Sequence, residues 1–123
     1  MIRKVFALTT IVLLAGVLFA QDKTVTINGS LMDNACAESA KDIGARAKNH
    51  ATSCALMDGC EKSGYAVYAD NKLYKLDDKG NELAEAVLKN TKLKNGVKVS
   101  VEGTLDGDTI KVTKLTEVTE AVN

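Results

Sequence analysis

The chain has 123 residues, with 16 basic and 16 acidic side chains, no proline and no tryptophan. A length of this order holds one compact domain rather than two, and the balanced charge lacks the basic footprint that nucleic acid binding needs. No nucleic acid partner is therefore expected.

Residues 1–20 begin with Arg3 and Lys4, continue through an uncharged apolar run from 5 to 19 and reach Ala20 before the polar Gln21, Asp22 and Lys23. Basic residues ahead of about 15 apolar ones, short of the roughly 20 that span a bilayer, predict a secretory signal peptide cleaved near Ala20. No cysteine follows that run directly, so no lipid attachment point is presented and no membrane span is expected after cleavage. Loss of residues 1–20 leaves 103 residues, a single domain over 21–123 with 14 basic against 16 acidic groups, placed in the periplasm or secreted. Both phenylalanines, Phe6 and Phe19, leave with the signal. The remaining core must then be built from Val, Ile, Leu, Ala and three tyrosines, a modest supply that a cross-link or bound metal would reinforce.

Residues 24–33 alternate, with Val25, Ile27, Gly29 and Leu31 opposite Thr24, Thr26, Asn28 and Ser30, which predicts a half-buried strand. An insert over 34–63 follows. Asp33 or Asn34 can cap a helix from Ala35 in which Cys36, Ala40, Ile43 and Ala47 share a face. Residues 65–69 and 72–76 form a hairpin about the turn Asp70-Asn71. Leu83, Ala84, Val87 and Leu88 then define an amphipathic helix over 79–90 that Asn81 can cap. Val97, Val99 and Val101 alternate up to a bulge at Gly103, and Asp106-Gly107-Asp108 turns the chain into a last strand over 109–113. The tail from Glu117 is expected to fray.

Strand, insert, strand, strand, helix, strand, strand is the element order of the oligonucleotide/oligosaccharide-binding (OB) fold, a mainly β, five-stranded barrel with a helix between strands 3 and 4. The closing hairpin over 97–112, the segment Gly29-Ser-Leu-Met-Asp33, the His50-x(3)-Cys54-x(5)-Cys60 spacing and Ser63-Gly-Tyr65 together resemble a group of small secreted bacterial proteins, largely uncharacterised. The resemblance spans roughly residues 24–116 and implies the barrel, but brings no activity with it.

The chain's three cysteines and its single histidine, Cys36, His50, Cys54 and Cys60, all lie within the insert. Three thiols and one imidazole make a four-ligand set for zinc, and with Met32 and Met57 nearby the same pocket suits monovalent copper. A straight helix from Cys36 to His50 would part them by about 21 Å, so convergence requires a reversal, for which Gly44 or Lys48-Asn49 are available. Thr52 or Ser53 can cap a second short helix at 54–57, ended by Asp58-Gly59. Oxidising surroundings favour instead one disulfide, Cys36 with Cys54 or with Cys60, leaving a spare thiol that is inert, pairs with another chain or acts in redox chemistry.

Other candidates have plainer roles. Tyr65, Tyr68 and Tyr74 are read as core and cross-strand filler, Asp77, Asp78, Asp106 and Asp108 as turn and cap residues, and the lysines at 89, 92, 94 and 98 as solvated surface. One histidine with scattered serines defines no catalytic triad, and no phosphate loop is present. The expected protein is a small exported binding protein rather than an enzyme, holding zinc or copper at Cys36, His50, Cys54 and Cys60. The alternative is a disulfide-stapled module that binds an envelope protein partner, and a thiol redox protein stands third.

Overall fold

The computed structural model describes residues 23–119; the signal peptide expected over 1–20 and the last residues, 120–123, lie outside the described residues. Five strands close into a barrel: β1 (Lys23–Asp33), β2 (Tyr65–Ala69), β3 (Lys72–Leu76), β4 (Lys98–Asp106) and β5 (Thr109–Glu117), in the spatial order β1-β2-β3-β5-β4. Four pairings are antiparallel, and the barrel is sealed by a short parallel one, Lys75 with Thr109 and Leu76 with Ile110. This is the expected OB-type architecture. The last strand runs to Glu117, further than its alternation from 109 to 113 indicated.

Strand β1 serves both halves of the barrel. Residues 23–30 pair with β4 and residues 30–33 with β2, so Ser30 faces Lys98 on one side and Tyr68 on the other. The strand must coil sharply at this crossing, and Gly29 permits it: a Cβ there would stand 2.3 Å from the Tyr68 carbonyl oxygen. The two central residues of the β2–β3 turn, Asp70 and Asn71, both take positive φ, the geometry whose twist matches a two-residue hairpin. The bulge expected at Gly103 is present as a register shift between Glu102 and Gly103.

The main core fills the barrel with Leu31, Tyr65, Val67, Val99, Val101 and Ile110, and a long helix, α5 (Asp78–Asn90) among the helices numbered below, adds Ala84 and Leu88. Asp77, not Asn81, caps this helix, its Oδ1 accepting from the amides of Gly80 and Val112. Asn81 lies one turn inside and accepts the Tyr65 amide instead, tying helix to β2.

The insert folds as four short helices: α1 (Asn34–Ser39), α2 (Ile43–Lys48), α3 (Thr52–Ala55) and α4 (Asp58–Lys62). The chain reverses at 40–42, earlier than Gly44, because Asp42 caps α2 by accepting the Ala45 amide and Gly44 is thereby drawn inside the helix. Helix α3 starts at Thr52 with no side-chain cap, and Asp58-Gly59 opens α4 instead of only ending α3. The insert lies over the outer face of β1 and β2. There Met32, Ala37 and Ala47 form a second small core flanked by Ile43, Tyr68 and Leu73, so β1 alternates only up to Gly29 and is buried on both faces from Ser30 to Asp33.

Two glycines bracket the cost of filling space in this fold. At Gly103 a Cβ would meet the Lys111 carbonyl oxygen at 2.2 Å, whereas at Gly59 nothing lies within 4 Å. Urea titration is expected to show Gly103→Ala destabilising by about 1–3 kcal/mol, and Gly59→Ala neutral or stabilising by up to about 1 kcal/mol.

Candidate metal centre

The site begins with the last residue of β1. Asp33 is paired with Tyr65 in the sheet, and its side chain is 0% exposed. It caps α1, Oδ2 accepting the Cys36 amide at 2.8 Å, while Oδ1 lies 2.6 Å from His50 Nε2. Burial of a carboxylate is tolerated only when its oxygens are partnered, and here both are. His50, 5% exposed, follows α2, and its carbonyl oxygen accepts the Gly96 amide. The Ala51–Asn95 bridge and the Thr52 amide, donated to the Lys94 carbonyl, continue this attachment of the insert to the segment before β4.

Cys36 stands in the first turn of α1, Cys54 in α3 and Cys60 in α4, and all three are half-buried. Four hydrogen bonds keep these helices in place. Asn34 donates its amide to the Gly64 carbonyl and its Nδ2 to the Ser63 carbonyl, drawing the two ends of the insert together. The Ser63 hydroxyl donates to the Cys60 carbonyl, and the buried Tyr65 hydroxyl donates to the Ala55 carbonyl at 2.9 Å.

The three thiols lie within 4.8 Å of one another, with Cys36 Sγ and Cys54 Sγ 4.0 Å apart. With metal–sulfur bonds of about 2.3 Å, two sulfurs on one ion stand about 3.8 Å apart in tetrahedral and about 4.0 Å apart in trigonal geometry. The spacing suits ligation with little movement. A disulfide would need about 2.05 Å, and the three cysteines are free. His50 enters a second close set with Asp33 and Cys36, also within 4.8 Å of one another. Of the four residues singled out in the sequence, the structure thus gathers the three thiols as one group and places the imidazole in an adjoining group that shares Cys36. These Cys, His and Asp groups are close enough to hold a metal ion.

Electrostatics at the thiols follow from the same carboxylate. The Cys36 thiol is pushed up to about 12, first by burial, then by the charge of Asp33 and its contacts with Cys54. Cys60 is raised by burial and by Asp33. Such thiols stay protonated near neutral pH and are weak nucleophiles, the opposite of what a working redox cysteine requires. A bound cation reverses the balance, since a coordinating thiol is deprotonated by the metal itself.

Asp33 is the residue that sequence reasoning underrated. Its spacing ahead of Cys36 marked it as a helix cap, but its bond to His50 joins positions 17 residues apart and leaves no local signature. The other candidates take the plain roles expected of them: Tyr65 is core, Tyr68 and Tyr74 pack half-buried against the two clusters, and Asp108 pairs with Lys72 at the surface. Comparison with protein-family models, curated proteins and solved structures finds no match to this chain, so function rests on the geometry just described.

Replacing Asp33 by Ala strands a buried imidazole and uncaps α1, and is expected to cost about 2–4 kcal/mol in urea unfolding, with Asp33→Asn costing less. A pH effect is also expected. The Cys36 thiol and the Tyr65 phenol, the latter also pushed up to about 12, chiefly by burial, are acids that ionise more readily unfolded, at ordinary values of 9.0 and 10.0. The folded chain therefore binds more protons in this window, and stability, complete below pH 9, declines as pH rises towards 12. Urea midpoints of reduced, chelator-treated protein measured from pH 8 to 11 test this, and Tyr65→Phe is expected to flatten the decline above pH 10.

Proposed function

We propose that this protein is a small metal-binding protein, acting outside the cytoplasm on the reading of residues 1–20 as an export signal, and that it holds one ion through Cys36, Cys54 and Cys60. The observation that carries this reading is the mutual approach of three thiols, delivered by three separate helices, to within 4.8 Å. Nothing in barrel packing requires that convergence, because the sulfurs belong to neither hydrophobic cluster.

Zinc is favoured over copper. The three thiols alone would suit either ion, but the imidazole and carboxylate that adjoin them at Cys36 are borderline and hard donors, surroundings that fit zinc better than monovalent copper. Met32, one of the two thioethers that would favour copper, is committed to the second core with Ala37 and Ala47. No catalytic role is assigned. The disulfide-stapled module remains the second reading, supported by the 4.0 Å approach of Cys36 to Cys54.

Native mass spectrometry of protein recovered after export, kept from air and without added reductant, is expected to show one zinc ion per chain. After denaturation with a chelator, three thiols should alkylate. A mass two hydrogens lighter, with a single alkylation, would favour the disulfide. Cys54→Ser is expected to weaken zinc binding by about 100-fold or more, beyond the 10–100-fold typical of residues that only support a ligand.

A further inference from the structure

Three protein thiolates leave a zinc-like ion one donor short of a tetrahedral set, and the one histidine at hand is grouped with a single one of the three sulfurs. His50 Nε2 is bonded to Asp33 Oδ1 at 2.6 Å, its side chain is almost wholly buried, and its close set contains Cys36 alone among the thiols. The thiol side of the site is open by contrast. All three cysteines are half-buried, and the segment between Cys54 and Cys60 carries exposed Met57, Asp58 and Gly59, with Met57 61% exposed. Closed, structural zinc sites take four protein ligands, whereas sites with three keep a position for an incoming one.

Charge favours a neutral ligand there. Three thiolates already outweigh a divalent cation, and the Asp33 carboxylate lies beside Cys36, joined to its amide. A fourth anionic donor would meet net negative charge, while a neutral nitrogen donor would not. Resting on the metal reading above, we propose that the ion occupies a three-thiolate centre whose fourth position accepts an external imidazole, and that His50 is a positioning residue that holds Cys36 through Asp33. The site then presents its ion for exchange with a histidine-bearing partner, with the ion partly coordinated from outside.

Cobalt(II), a spectroscopic substitute for zinc, tests this on the reduced, exported protein. A near-ultraviolet sulfur-to-cobalt charge-transfer band reports thiolate ligation, and visible d–d bands report the full ligand set. Titration with imidazole is expected to shift the d–d bands saturably while the charge-transfer band persists. His50→Ala is expected to leave the band positions unchanged and to weaken cobalt binding by about 10–100-fold, the usual effect of losing a supporting residue. Persistent charge transfer with d–d bands indifferent to imidazole would overturn the open position, and bands moved by His50→Ala would overturn it by making His50 the fourth ligand. Should that variant not fold, the imidazole titration of the unaltered protein decides alone. Absence of the charge-transfer band altogether would overturn the metal reading itself, a result distinct from the other two.

Discussion

The insert is organised by one buried carboxylate. Asp33 terminates β1 with both oxygens engaged, one by the amide that starts α1 and one by an imidazole from beyond α2. Without these bonds the carboxylate would be an isolated charge in a dry interior, which is costly by several kcal/mol, so the backbone of α1 and the ring of His50 are held where the carboxylate requires them. Cys36 is fixed as a consequence, since its own amide is one of the two donors. The placement of the first thiol is a property of the barrel's edge, transmitted through a side chain.

The second constraint is the closing of the insert on itself. Asn34 holds the backbone at Ser63 and Gly64, and Thr52 and His50 hold the segment 94–96. Between these attachments the chain has only short helices, none longer than six residues, which have little stability alone. Their order comes from the second core on Met32 and from Tyr65, whose hydroxyl reaches Ala55 from inside the barrel. An ion bound by Cys36, Cys54 and Cys60 would join three of the four helices directly, adding the cross-link that so small a domain lacks.

Much of the barrel could be read in advance because its strands alternate and its turns carry their own chemistry: Val97, Val99 and Val101 against polar neighbours, Asp70-Asn71 and Asp106-Gly107-Asp108 between runs. Where alternation failed, at Met32 and Asp33, a second layer covered the sheet, and period-two patterning cannot show that. The boundaries of the insert's helices were misplaced for a related reason. Asp42 caps α2 and so puts the reversal ahead of Gly44, and outside the insert Asp77 takes the cap of α5 from Asn81, where the decisive extra bond comes from Val112, far along the chain. Clustering of the cysteines was visible as proximity in sequence; the partnership of Asp33 with His50 was not.

The double pairing of β1 sets the order in which this molecule is able to fold. Lys23 lies opposite Leu105, and Thr26 opposite Glu102, so the strand nearest the described N-terminus finds most of its partners only when nearly all of the chain is present. Contacts so distant in sequence form slowly, because a large loop must close before any of them is rewarded. A nascent chain therefore offers β1 no barrel to join, and most of the strand's edge stays unpaired until β4 has been made.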